Sequence, residues 1–377
     1  MSDETFHLVE QALRSGGSGA GFDFLMRRFR EEKDYPRLFE ARLMKRRHEL
    51  GLPLIQIEPM EDLPNETRRA YEEGFIEAAR EVGGLFLADG NIQRAWPYFR
   101  AIGEPAPVAA AIERIESQEE MAPIIEIAFH EGVHPRKGFE LILSNYGICR
   151  AITSFHQYPG RNGREDCLRI LIRRVHGDLV ENLKRTISQN EGQASETRNI
   201  PALMAGRDWL FEGNSYYLDT SHVVSVIQFS LELNDRETLA LALELTEYGS
   251  RLSSLFQYRG DPPFQNVFPD HGIYLRALLG ERVEEAIRHF RNKLTEGDPS
   301  EMGSGPAQVL VRLLARLERY AEAIEVSLEY LPHTDPTQLA CPSVLQLCQL
   351  AGDYAQLMKL ARQQGDLLSF AAGVLQT

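Results

Sequence analysis

An all-helical fold follows from three features of the 377-residue sequence. Apolar residues recur at three- and four-residue spacing almost throughout the chain. Alternating apolar and polar runs bounded by turn residues are essentially missing. The breaks between helical stretches are mostly short, so successive helices are expected to pack as antiparallel hairpins. Such hairpins in series build a solenoid, in which each unit covers the apolar face of the next.

The elements run as follows. Helices are expected over 4–14 and 22–33, separated by the glycine-rich break Gly16-Gly17-Ser18-Gly19. Pro36 suits the first turn of a third helix that reaches His48. Residues 51–65 carry three prolines and read as a linker. Long amphipathic spacing resumes over 66–87, followed by a short pair at 92–102 and 107–117. Helices are then expected over 121–131, 135–156 and 164–189. The polar, small-residue stretch 190–198 reads as a loop. Further helices are expected over 200–211, 221–233, 236–256, 271–279, 283–295, 307–317, 320–331, 337–351, 354–364 and 367–375. The segment 258–268 is irregular, with paired prolines.

Length and composition bound the class. The chain exceeds the size at which one simple core keeps growing, so two domains or an elongated array are expected. The expected division is N-terminal helices and linker over 1–60, a diverged hairpin region of longer helices over 61–265, and a repeat region over 266–377. A formal net charge of −14 argues against nucleic acid, which calls for clustered cations. The basic run 42–47 (RLMKRR) lies within a helical pattern and reads as a solvated face. No apolar run approaches a membrane span, and no secretory pattern opens the chain. Four cysteines without a C-x-x-C pair read as free thiols in a reducing compartment, so a soluble cytoplasmic protein is expected.

Four places share a small or polar turn followed by a small–apolar opening of the next helix. They begin at Leu279, Leu317, Ala351 and Ala88. Ala286 to Ala323 is 37 residues, and Ala323 to Leu357 is 34. Tyr320, Ala323 and Ile324, with Pro332 and Pro336 beyond, match the second-helix opening and closing proline of the tetratricopeptide repeat. The chain therefore resembles that family over 280–377, and more weakly over 88–116. The first-helix Trp and Gly-Tyr of the family are missing, and Leu314-Ala315 stands where Leu-Gly would be. The resemblance implies a tetratricopeptide-like superhelix with a concave surface for a protein, a peptide or a small ligand. Fold alone does not fix what that surface does.

The chemistry-bearing residues give a competing reading. His130-Glu131-Gly132-Val133-His134 matches H-E-x-x-H, which on a continuous helix places two imidazoles on one Zn²⁺ beside a glutamate base. Gly132 and Pro135 work against such a helix, and the string reads better as a helix end and turn. A looser site remains open. Asp219 and Asp270 are expected as N-caps, with His222 and His271 projecting from first turns where the helix dipole favours neutral imidazole. His134, His176, His222 and His271 are spaced 42, 46 and 49 residues apart, near a long hairpin step. On this reading His130, His134, His176, His222 and His271 are the candidate ligands of Zn or another divalent transition metal, Glu131 is the candidate base, and the protein is a metal-dependent hydrolase. Tyr146, Trp209, Tyr217, Asp219 and Asp270 mark a polar–aromatic centre that is either a binding pocket or a core network. His289 reads as an ordinary helix-face histidine. The leading expectation is a binding or scaffold protein, with the metalloenzyme as its alternative.

Overall fold

The computed structural model describes residues 3–55, 63–116, 121–193, 195–296, 303–332 and 334–377. Part of the expected linker, 56–62, the loop residue 194, and His333 lie outside them. The described chain is all-helical, and consecutive helices pack in pairs. An isolated bridge between Arg259 and Asn266 is the one β-type pairing among the described residues. The chain divides into two compact units, residues 1–147 with 157–167, and residues 148–156 with 168–377.

In the first unit, α1 (Asp3–Glu31) covers both helices expected before residue 34. The expected break is a single residue, Gly17, at φ 73° and ψ −172°. Asp34 caps α2 (Tyr35–Glu49), and Pro36 occupies its first turn. α3 (Asn65–Ala88) packs on α2 and on α4 (Ile92–Ala101), whose cap is Asn91. α5 (Ala106–Glu113) and α6 (Ala122–Ile125) follow. α6 runs into a π-turn, Glu126–His130, and α7 (Pro135–Gln157) starts at the expected proline. Gly147, at φ 77°, interrupts α7 in a conformation that would strain any residue with a Cβ.

α8 (Arg164–Glu191) leads into the second unit. The helix expected over 200–211 is two pieces: α9 (Ile200–Met204) and a 3₁₀ turn, Asp208–Asn214. Gly206 separates them at φ 72°. α10 (Thr220–Ser230) and α11 (Arg236–Arg251) follow, the latter five residues shorter than the spacing suggests because Ser254–Phe256 forms its own 3₁₀ turn. α12 (Val267–Leu278) starts four residues before the expected point, with Asn266 in the cap position.

The remaining helices are α13 (Val283–Asn292), α14 (Gly305–Arg316), α15 (Tyr320–Tyr330), α16 (Val344–Ala351), α17 (Tyr354–Gln364) and α18 (Leu367–Gln376). α16 starts later than expected because Ser343 and Gln346 form a capping box. The small residues singled out at the hairpin turns, Ala95, Ala286 and Ala323, are all buried, as is Leu357 at the equivalent place. Ala286, Ala323 and Leu357 share one core with Phe290, Leu310, Leu314 and Leu347. The Arg312 and Arg316 guanidinium groups reach from α14 to the end of α10. Arg312 donates to the Leu231 carbonyl at 3.1 Å, and Arg316 donates to it at 2.9 Å and to the Leu233 carbonyl. They satisfy carbonyls that a helix C-terminus leaves without partners.

Candidate functional site

The H-E-x-x-H residues do not share one α-helical face. The Glu131 amide donates to the Glu126 carbonyl at 2.9 Å, closing a π-type turn. Gly132 then turns left-handed at φ 74°, and the His134 amide folds back to the Ala128 carbonyl at 2.9 Å. The His134 carbonyl accepts from the Gly138 amide at 3.0 Å, which places His134 at the start of α7. His130 is exposed, edge-on to Phe129. His134 Nε2 lies 2.9 Å from Glu113, a carboxylate shared with Arg136. Glu131 accepts from Trp96 Nε1 at 2.9 Å and pairs with Arg100 at 2.9 Å, so it ties α4 to this turn. The Zn-helix geometry therefore does not form.

The other three candidate histidines lie in the second unit, each in a separate setting. His176 is buried on α8, and its Nε2 meets Glu244 at 2.9 Å. The same carboxylate accepts from the Ile200 amide at 2.8 Å and from Asn199 Nδ2 at 2.6 Å. Burial pushes the Glu244 carboxyl up, but these bonds outweigh it and hold the group below the usual range. His222 sits half-buried in the first turn of α10. Asp219 caps that helix as expected, accepting from the Ser221 hydroxyl at 2.7 Å and the Ser221 amide at 2.9 Å, which lowers its carboxyl. His271 is 2 % exposed and stacks on Phe264, with its Nδ1 2.7 Å from the Val267 carbonyl. Burial pushes this imidazole down to about 4, only partly opposed by the carbonyl and by Asp270.

Asp270 requires a correction. It is not the cap of α12 but lies a full turn inside it. Its buried carboxylate reaches back to the Asn266 amide at 2.8 Å, the residue that does occupy the cap position. It also meets His289 Nε2 at 2.9 Å and Lys293 Nζ at 3.7 Å. Lys293 donates to Gln265 at 2.9 Å. His289 thus belongs to a buried polar network and is not an ordinary surface histidine. Its helical register alone could not show that.

Tyr217 and Tyr248 of the second unit form contacts of a core type. The Tyr248 hydroxyl is buried and accepts from the Tyr217 amide at 2.8 Å, and its own titration is pushed up to about 12 by burial. The Tyr217 hydroxyl donates to the Leu210 carbonyl at 2.7 Å. Trp209 is half-buried on the 3₁₀ turn, and Tyr146 belongs to the first unit with half its surface exposed. Among the described residues, no three His, Cys, Asp or Glu side chains come together as a group that could hold a metal ion. The thiols of Cys167, Cys341 and Cys348 are pushed up to about 12, 11 and 11 by burial, and Cys149 is exposed.

A concave site appears where no motif marks the sequence. In the first unit, α2, α3 and the end of α4 enclose a cleft of about 880 Å³. Phe39, Leu43 and Arg47 are spaced by four along α2 and line one wall, and Tyr71, Phe75 and Ile76 of α3 line the facing wall. Phe39 packs edge-on to Phe75, with ring centres 5.4 Å apart. Leu54 and Ile55 complete the rim and are exposed. Glu40 and Glu72, also exposed, are the acidic groups of the lining.

The basic run 42–47 supplies the cleft's cation, and here the solvated-face expectation is corrected. Arg42 pairs with Glu81 of α3, and Arg46 Nε donates to the Ala70 carbonyl at 2.9 Å. Arg47 is 6 % exposed. Its Nε donates to the Pro53 carbonyl at 2.5 Å, and its guanidinium lies 5.7 Å from the Tyr71 ring centre. Arg47 Nη1 is buried with no hydrogen-bond partner among the described residues. Long aliphatic stems let these side chains cover apolar neighbours while the heads of Arg42 and Arg46 find polar atoms on α3 and that of Arg47 the Pro53 carbonyl. The four-residue spacing from Phe39 through Leu43 to Arg47 puts the three on one face of α2, and that shared face is the one part of this that the sequence carries.

Comparisons of the chain with protein-family models, with curated proteins and with solved structures find no match. What the fold defines is an all-helical chain of consecutive packed helix pairs. No described helix is long and apolar enough to cross a membrane.

Proposed function

We propose that this chain is a binding protein built on a tetratricopeptide-like helical-repeat frame, with the cleft of the first unit as its binding site. The observation that carries the reading is the cleft: about 880 Å³, walled by aromatic and aliphatic side chains, with few polar groups. That volume and lining fit the usual form of a ligand-binding site. The helical-repeat assignment rests on the buried small residues Ala286 and Ala323 at hairpin turns, and on the Tyr320, Ala323, Ile324 opening of α15. The acidic balance of the chain favours a protein, peptide or small-molecule partner over a nucleic acid.

Titration with Nile red, a neutral apolar fluorophore, tests this. The expected result is saturable binding at one site per chain, weakened at least about tenfold by Ile76→Arg, which sets a charge on the cleft wall. Binding that does not saturate, or that is indifferent to Ile76→Arg, would overturn the assignment of the cleft as the binding site.

A further inference from the structure

We propose that the cleft takes an amphiphile with a single carboxylate head, held by Arg47 and seated along the apolar walls. This deepens the binding reading above and rests on it.

The cleft lining holds one cation, and that cation is incompletely satisfied. Arg47 is 94 % buried (6 % exposed), and no carboxylate pairs with it among the described residues. A buried guanidinium normally has a carboxylate partner, because a desolvated charge without one is costly. Here Nε is held by the Pro53 carbonyl and the plane lies near the Tyr71 ring, so the group is oriented before any ligand arrives. Nη1 is buried with no acceptor among the described residues, so the guanidinium is only partly satisfied. A small hydrated anion gains little there, since it must shed its water to reach a dry wall. An anion carried in on an apolar body regains that cost, because the body is buried by Phe39, Leu43, Phe75 and Ile76 at the same time.

The rim adds a selection on charge. Glu40 and Glu72 line the same cleft, and both are exposed. A monoanion whose charge is met by Arg47 tolerates them, whereas a phosphate head carrying close to two charges is repelled. A carboxylate also matches the flat, forked donor geometry of a guanidinium.

The test uses the full chain with Nile red in the cleft, displaced by dodecanoate, dodecanol or dodecyl phosphate below their micelle-forming concentrations. Dodecanoate is expected to compete at least about tenfold better than dodecanol, the size of a charge-assisted hydrogen bond. Dodecyl phosphate is expected to fall behind dodecanoate, and to recover in the Glu40→Gln, Glu72→Gln double variant. Arg47→Met is expected to bring dodecanoate and dodecanol level. Should Arg47→Met not fold, the wild-type comparison of dodecanoate with dodecanol decides alone. Equal competition by dodecanoate and dodecanol, or stronger competition by dodecyl phosphate, overturns the carboxylate proposal while leaving the cleft a binding site. Failure of Nile red itself to bind strikes the binding reading instead.

Discussion

His271 offers a direct test of the second unit's energetics. Its imidazole is buried against Phe264 and titrates near 4, against an ordinary value of 6.5. Above about pH 6.5 both folded and unfolded chains hold this group neutral, and it contributes no pH dependence. Between roughly 6.5 and 4 only the unfolded chain takes up the proton, so stability falls as pH falls through this window. A shift of this size, at 1.36 kcal/mol per unit, amounts to about 3 kcal/mol in the acid limit and about 2 kcal/mol by pH 5. His271→Phe keeps a ring against Phe264 and removes the titration, at the cost of one hydrogen bond to the Val267 carbonyl, about 1 kcal/mol at neutral pH. The assay is urea unfolding followed by tryptophan fluorescence. Trp96→Phe in both proteins leaves Trp209, in the second unit, as the sole reporter. Carboxylates titrate equally in both proteins, so the readout is the difference between their curves. That difference should shrink and then reverse in sign on acidification, with the variant the more stable protein near pH 5. Parallel curves from pH 7 to pH 5 would refute a depressed imidazole at this position.

Three further outcomes are expected. Glu244→Ala strands the His176 ring, the Asn199 amide and the Ile200 amide, and should cost about 2–3 kcal/mol of unfolding free energy, read from urea transitions at neutral pH. Because the Glu244 carboxyl is held below its ordinary value, its contribution is present above the unfolded carboxyl's range and disappears as pH falls through the folded one, so wild type and variant should converge in acid. Gly249→Ala places a Cβ 2.1 Å from Phe268 Cδ1 in the core between α11 and α12. It should lower the melting temperature by an amount matching about 1–3 kcal/mol, whereas wild-type melting would show that this contact relaxes freely. Of the four thiols, Cys149 alone should react promptly with a disulfide reagent at pH 8, with Cys167, Cys341 and Cys348 reacting only on denaturation.

Helix spacing was legible because burial of one face imposes a period on the residues themselves. Tyr354–Gln364 emerges with the expected bounds, and Tyr35–Glu49 and Gly305–Arg316 come within two residues. Caps were less legible where two residues compete. Asp270 looked like a cap, but Asn266 four residues earlier begins α12, and Asp270 instead receives its amide, His289 and Lys293. The turn at Gly132 was legible, since a left-handed glycine followed by proline interrupts a helix whatever surrounds it. The cleft was not. Its walls come from α2 and α3, separated by the segment after Leu50, and their apolar residues look like any core-facing stripe. What distinguishes them is the space left between them, which no local pattern encodes. Arg47 was hidden for a related reason: a run of cations reads as solvent-facing until the partners on α3 are known.

The grip of Arg312 and Arg316 on the Leu231 and Leu233 carbonyls joins residues 81 to 85 positions apart, passing over three intervening helices. In an array whose units touch only their neighbours, segments can be shed from one end with local damage. This chain should behave otherwise: a premature stop before Gly305 removes both clasps from the end of α10, far upstream. Quality control in a cell would then meet a lesion in the middle of the unit as well as at its tail, and shortened products of this chain should be cleared rather than accumulate as trimmed, working forms.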